Sequence, residues 1–200
     1  NQKKEIKVVW DAGNGSAGNI MKKLANKIQG EKIILYDEIN GNFPNHHPDP
    51  SDSANLIDCQ KNIVKNNLDI GLAFDGDGDR LGVIDDLGRV ISGDKILLLL
   101  AKELLKKKKI KVIADVKCSQ VLFNEIKRLG GEIIMSQTGH SHVKNNLKKF
   151  KAELAGEMSG HIFFADNYYG FDDALYAAVK MLEIVNNNEK KLSELVDEIP

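Results

Sequence analysis

Leu72-Ala73-Phe74-Asp75-Gly76-Asp77-Gly78 is echoed later in the chain by Leu154-Ala155-Gly156-Glu157-Met158-Ser159-Gly160. In both places a short apolar run ends in a Gly-rich polar loop. The same order of elements is legible upstream of each. Lys7-Val8-Val9-Trp10-Asp11 is followed by a Gly-rich turn from Ala12 to Gly18, helical spacing from Ile20 to Ile28, and the strand Lys32-Ile33-Ile34-Leu35-Tyr36. Lys111-Val112-Ile113-Ala114-Asp115 opens the second copy. A helix from Gln120 to Leu129, then Gly130-Gly131 and the strand Glu132-Ile133-Ile134-Met135, follow it. Helices from Asp94 to Lys107 and from Asp172 to Val185 close the halves. Alternating strands and helices build layers around a largely parallel sheet. The reading is an α/β protein of two similar three-layer α/β/α domains with mixed, mostly parallel sheets. They span 1–109 and 110–200, with the boundary near Lys109. Chance likeness between βαβ units is the bland alternative, and the loop echo is what chance explains least well.

The first loop carries the sharpest chemistry. Asp75-Gly76-Asp77-Gly78-Asp79-Arg80 follows the apolar run Asp69-Ile70-Gly71-Leu72-Ala73-Phe74. In an extended strand alternate side chains lie about 6.6 Å apart, whereas two oxygens on one Mg²⁺ lie within about 4.2 Å of each other. The backbone has to curl, and Gly76 and Gly78 permit the positive φ this needs. Three close carboxylates repel one another unless a cation neutralises them, and a hard divalent ion such as Mg²⁺ suits them. Arg80 then points to an anion beside the metal, and phosphate fits both. An EF-hand would place Gly at Arg80 and Glu at Asp86, and it fails on both. A dehalogenase-type phosphatase is the stronger rival, with Asp75 as nucleophile, Asp77 as acid/base and Asp172-Asp173 as later metal ligands. Asp79 stands where that loop normally has Thr or Val.

Composition narrows the class. The chain has 200 residues, is 42% hydrophobic and carries a formal net charge of −1. That balance argues against a nucleic-acid or membrane-surface partner. Lys106 to Lys109 reads as the charged end of a helix. Cys59 and Cys118 form neither a disulfide framework nor a zinc pattern, which points to a reducing, cytoplasmic location. No run of about 18 apolar residues spans a membrane.

A second constellation is Gly156-Glu157-Met158-Ser159-Gly160-His161. Glu157 accepts and Ser159 both donates and accepts, which suits vicinal sugar hydroxyls, although a plain turn has the same composition. Thr138-Gly139-His140-Ser141-His142 places histidines around a small loop. Asn45-His46-His47-Pro48-Asp49-Pro50 reads as a stiff structural turn rather than a metal site. Asp11 to Gly18 reads as a strand-to-helix turn without a P-loop lysine.

Together these stretches resemble the two central domains of an α-D-phosphohexomutase of the phosphomannomutase/phosphoglucomutase type. The matching residues are Val9 to Gly18, Gly41 to Pro50, Asp75 to Arg80, Asp115 to Ser119, Thr138 to Ser141, Gly156 to His161 and Gly170 to Asp173. The resemblance implies Mg²⁺ on Asp75, Asp77 and Asp79, and Arg80 beside the phosphoryl group. It implies Glu157 and Ser159 on the hexose hydroxyls, and Lys117, His140 and His161 lining the cleft. Of these, Arg80, Lys117 and His161 are the expected catalytic residues, and Glu157, Ser159 and His140 the expected substrate-binding ones. The implied substrates are glucose and mannose 1- and 6-phosphates and the 1,6-bisphosphate. The family's phosphoserine belongs to a preceding domain and its substrate-phosphate clamp to a following one. Neither motif is found here. The chain alone is therefore expected to be inactive, and a non-catalytic metal and sugar-phosphate module is the third reading.

Overall fold

A computed structural model describes residues 5–200, so the first four residues of the expected first domain lie outside it. The apolar runs form the strands. Val8–Asp11 (β1) lies parallel to Lys32–Leu35 (β2) on one side and Ile70–Phe74 (β3) on the other. Leu81–Asp85 (β4) and Val90–Ile91 (β5) continue this sheet antiparallel. In a second sheet Lys111–Asp115 (β6) lies parallel to Glu132–Ser136 (β7) and Leu154–Gly156 (β8). Ile162–Phe164 (β9) continues it antiparallel. The orders β2-β1-β3-β4-β5 and β7-β6-β8-β9 make the echo a repeat of topology in two separate mixed sheets.

Seven α-helices cover them: Gly18–Lys27 (α1), Ile57–Asn66 (α2), Gly93–Leu105 (α3), Gln120–Arg128 (α4), His140–Phe150 (α5), Ala174–Asn187 (α6) and Leu192–Asp197 (α7), counted among the described residues. Side chains alternate across a strand, and the burial follows that period. Val9 packs with Cys59 and Ile63 of α2, while Val8 and Trp10 share a core with Met21 and Ala25 of α1. Trp10 stacks on Phe74, ring centroids 6.2 Å apart. Ile113 packs with Val143 and Leu147 of α5, while Val112 and Ala114 face the central core.

The boundary expected near Lys109 leaves α3 in the first domain. This helix follows the first sheet in sequence, yet it packs on β8, α4 and α6. Gly156 is the reason it comes so close: a Cβ there would lie 3.0 Å from Leu97. α6 follows the second sheet and packs on β3 and β4 of the first as well as on β9. α3 thus packs with the second half and α6 lies across both sheets, and the division between sheets falls ahead of α3. The sequence of α3 accounts for this. Ile96 to Ala101 are buried consecutively, and a helix apolar almost all round needs cover on several sides.

Two polar ties complete the frame. Arg89 donates to Asp85 through Nε at 2.7 Å and to Asp197 through Nη1 at 2.9 Å, and the Ser193 amide donates to Asp86, clasping α7 to the β4–β5 turn. Asp11, fully buried, pairs with His46 Nε2 at 3.1 Å. His46 thus anchors its Pro-rich turn to β1, in keeping with the structural reading of that turn.

The sheets also meet directly. The Leu81 amide donates to the Gly160 carbonyl at 3.0 Å, and Arg80 and His161 form an antiparallel bridge. Gly160 has φ +101°, and a Cβ on it would stand 2.7 Å from the Leu81 carbonyl oxygen. Gly160→Ala is expected to destabilise the fold by roughly 1–3 kcal/mol, measured by urea unfolding. The His46–Asp11 pair has a pH signature. Its hydrogen bond to Asp11 outweighs burial and raises the His46 pKa above its ordinary value. The folded state therefore prefers the protonated ring. The pair's contribution is full below about pH 6.5, the unfolded value, and is lost as pH rises through the folded pKa. Urea midpoints at pH 6 and pH 8 should differ less in His46→Gln than in the wild type.

Candidate functional site

Both glycine-rich loops sit at the carboxyl ends of their strands, Asp75 to Arg80 after β3 and Glu157 to His161 after β8. This is where open α/β sheets gather ligands. The inter-sheet bridge sets one loop against the other. His161 is the joint: its Nε2 lies 3.2 Å from Asp79 Oδ1, and its Nδ1 lies 3.0 Å from both Glu157 Oε2 and Ser159 Oγ.

Asp75 organises the acidic loop. Its Oδ1 accepts the amides of Gly78, Asp79 and Arg80, each at 3.0 Å, and its Oδ2 accepts Arg80 Nε at 2.7 Å. Burial pushes its pKa up, but the hydrogen bonds and charge of Arg80 outweigh this and hold the carboxyl below its ordinary value. The loop leans on the β1–α1 turn, where the Ser16 amide donates to the Gly76 carbonyl at 2.8 Å. One oxygen each of Asp75, Asp77 and Asp79 lie within 4.8 Å of one another. Asp77 is exposed and Asp79 half-buried. Burial, and then the negative charge of Asp75, push the Asp79 pKa up to about 6. The two act in the same direction, and His161 partly opposes them.

Arg80 also donates through Nη1 to Asp49 at 2.9 Å. Among the described residues its Nη2 makes no hydrogen bond, which leaves the outer edge of the guanidinium for an anion. Asp49 was missed as a site residue. It sits in the turn read as structural, and its carboxylate is further held by the Ser51 amide and hydroxyl.

In the second loop Glu157 is only 2% exposed. It accepts the Gly139 amide at 2.6 Å and pairs with His161. Burial raises its pKa, and His161 and the Gly139 amide more than reverse this, leaving it low. Burial lowers the His161 pKa, but Glu157 and Asp79 outweigh it and the net shift is upward. Glu157 is thus turned inward, pinning the start of α5 to the loop, rather than presented to the cleft. His140 and His142, expected in a small loop, lie in the first turn of α5. The His140 ring stacks on His161 at 5.8 Å, and its Nδ1 lies 3.5 Å from Asp172 Oδ2. Lys117 and Ser159 line one cavity of about 450 Å³ between the sheets, with Ser51 and Gly82 on the opposite wall. Every residue expected at the site therefore lies in one of three connected groups: the acidic loop with Arg80, the His161 joint, or this cavity.

Family models match both halves of the chain. Residues 1–88 match phosphoglucomutase/phosphomannomutase α/β/α domain II, and residues 92–200 match α/β/α domain III. The phosphomannomutase/phosphoglucomutase of Pseudomonas syringae is 45% identical over 98% of this chain and 43% of its own length. A Neisseria gonorrhoeae phosphoglucomutase is 46% identical over 99% of this chain and 43% of its own length. The crystal structure of a Burkholderia thailandensis phosphoglucomutase/phosphomannomutase family protein superposes with a TM-score of 0.93 at 45% identity, covering 98% of this chain and 43% of that one. The chain thus spans less than half the length of the relatives it matches. It belongs to the phosphoglucomutase/phosphomannomutase family, of which it carries α/β/α domains II and III.

Proposed function

We propose that this chain forms the metal-binding and sugar-binding half of a cytoplasmic phosphohexomutase, which interconverts hexose 1-phosphate and hexose 6-phosphate of the glucose or mannose series. The observation that carries the reading is the His161 joint, which holds the acidic loop and the Glu157–Ser159 loop against each other. A phosphoryl group and a sugar can then be held by neighbouring loops. Free buried Cys59 and Cys118 fit a reducing compartment. Among the described residues no helix is long and apolar enough to cross a membrane.

The acidic loop fits Mg²⁺. Three oxygens converge, all from hard carboxylates. Asp75, Asp77 and Asp79 would hold the ion, which when bound supplies positive charge to a phosphoryl oxygen. Arg80, fixed by Asp75 and Asp49, presents Nη2 to the same phosphoryl group. Charge on the transferring group is thereby stabilised by a donor that is already oriented. Lys117 and Ser159 offer a cation and a hydroxyl to the sugar phosphate from the cavity wall. Glu157 reaches sugar hydroxyls by exchanging its His161 contact for them. His161, bridging both loops, is placed to hold or pass a proton at Nε2.

A dehalogenase-type phosphatase is disfavoured by the loop itself, in which Asp79 stands where that loop normally has Thr or Val, and by the match of both halves to phosphoglucomutase/phosphomannomutase domains.

Turnover is tested by grafting. The chain alone, lacking a phosphoserine motif, should show no conversion of glucose 1-phosphate to glucose 6-phosphate in a coupled assay. The same chain substituted for the matching segment of the Pseudomonas syringae relative should restore Mg²⁺-dependent conversion. Robust turnover by the pure chain, or a folded chimera that is inert, counts against the reading. Within the chimera, Asp77→Asn should raise the Mg²⁺ concentration needed for half-maximal rate at least tenfold. Ser159→Ala should raise KM about fivefold, the scale of one lost hydrogen bond at about 1 kcal/mol.

A further inference from the structure

We infer that Asp94, which does not itself line the cleft, is a positioning residue: its carboxylate holds the turn that carries Lys117 and so sets that cation in the cavity it shares with Ser159. The inference rests on the proposed mutase reading, in which Lys117 meets the sugar phosphate.

Lys117 does not fix itself. It is exposed, and among the described residues its ammonium makes no ion pair. A lysine is a point charge on a flexible four-carbon stem, so the backbone beneath it decides where the charge can reach. That backbone is tied at three amides. Val116 donates to the Ser136 carbonyl at 2.9 Å and Cys118 to the Asp115 carbonyl at 3.1 Å, both within the second sheet's own connections. The third tie comes from elsewhere: the Ser119 amide donates to Asp94 Oδ2 at 3.0 Å, across 25 residues of sequence.

Asp94 is well placed to hold that tie. It is only 5% exposed. Its Oδ1 takes the Ser92 hydroxyl at 2.5 Å and the Lys95 amide at 2.8 Å, which fixes the carboxylate with Oδ2 toward Ser119. Burial pushes its pKa up, but the hydrogen bonds from Ser119 and Ser92 outweigh this and hold the carboxyl below its ordinary value. The charge meets α4 at its N-terminus, where an anion is favoured. α4 supplies none of its own, having no acidic residue in its first turn and no side-chain cap from Ser119. The neighbouring Gly93 packs against the polar loop, where a Cβ would stand 2.5 Å from the Met158 carbonyl oxygen. Ser92 and Gly93 line the cavity together with Lys117 and Ser159. The first turn of α3 therefore touches the Lys117 turn through Asp94 and the Glu157–Ser159 loop through Gly93. One turn of helix spaces the cation from that loop.

The test uses the Pseudomonas syringae chimera and the chain itself. In the chimera Asp94→Ala should raise KM for glucose 1-phosphate about fivefold, and Asp94→Asn, which keeps an oxygen acceptor, should recover most of the loss. In a Lys117→Ala background Asp94→Ala should raise KM no further, because the residue it positions is gone. Ser119→Pro removes the donor while leaving Asp94 in place, at a φ of −65° that suits proline. It should raise KM like Asp94→Ala, and it serves where that variant misfolds. A crystal structure of the Asp94→Ala chain should show the Lys117 turn displaced by about 1 Å, a scale on which misplacement costs rate, with β6 and the Glu157–Ser159 loop unmoved. An unchanged KM in both variants overturns the proposal. So does an Asp94→Ala effect that multiplies onto that of Lys117→Ala, since a merely structural loss would do so, or a turn that stays in place. An inert wild-type chimera counts instead against the mutase reading, and the crystal structure then decides the positioning.

Discussion

One backbone hydrogen bond between two sheets, from the Leu81 amide to the Gly160 carbonyl, is the constraint on which the rest of the site depends. It exists because β4 begins where the acidic loop ends and β9 begins where the polar loop ends. Each loop feeds an antiparallel strand, and the strand starts meet. Position 160 must be glycine for the approach to be this close. With the two backbones joined there, Arg80 and His161 stand opposite each other, and Asp79 falls within reach of His161. The cleft is thus not a gap between two bodies that drift together. It is bounded by a short stretch of shared sheet pairing, which fixes the distance between charge-bearing loops without relying on their own repelling carboxylates.

The same small device appears twice in the first domain. An aspartate at the end of a strand takes loop amides on Oδ1 and the Nε of a following arginine on Oδ2: Asp75 with Arg80, and Asp85 with Arg89. Curling the chain around a carboxylate satisfies amides that a sharp turn would leave without partners. It also fixes the arginine, so that its outer nitrogens are aimed before any partner arrives. In one copy they meet Asp197 and the Ser193 carbonyl and hold α7. In the other, Nη1 meets Asp49 and Nη2 is left toward the cleft. One local architecture serves as a clasp in one place and as an anion receptor in the other.

Strands, loops and the repeat were legible in the sequence because each rests on short-range chemistry: period-two burial, glycines at curled loops, and carboxylates in one phase. The limits of α1, α4 and β3 fall within two residues of the expected ones. What stayed hidden depends on long-range partners. A run such as Ile96 to Ala101 announces a buried helix but not which sheet will bury it. Asp49 looked like part of a stiff turn because its partner, Arg80, is 31 residues away. Glu157 was expected to face the cleft from its place in the loop. Its inward turn follows from the Gly139 amide at the start of α5, which no local pattern ties to it. Asp172 entered within the matching run Gly170 to Asp173 and as a ligand in a rival reading, and its place beside His140 and Asp79 is a product of the β9–α6 connection.

The packing of α3 on later elements gives the chain a problem of timing. α3 is complete at Leu105, but the strand that covers it begins at Leu154. At synthesis rates of about 5–20 residues per second, a helix with six consecutive buried apolar positions waits on the order of seconds for its sheet. During that interval the first sheet also lacks α6. A nascent chain of this design carries an uncovered, strongly apolar helix next to a half-covered sheet, which is the state that draws chaperones or other nascent chains. Once the second half arrives, separating the halves is costly, because α6 lies across both sheets and would lose its contacts with one of them.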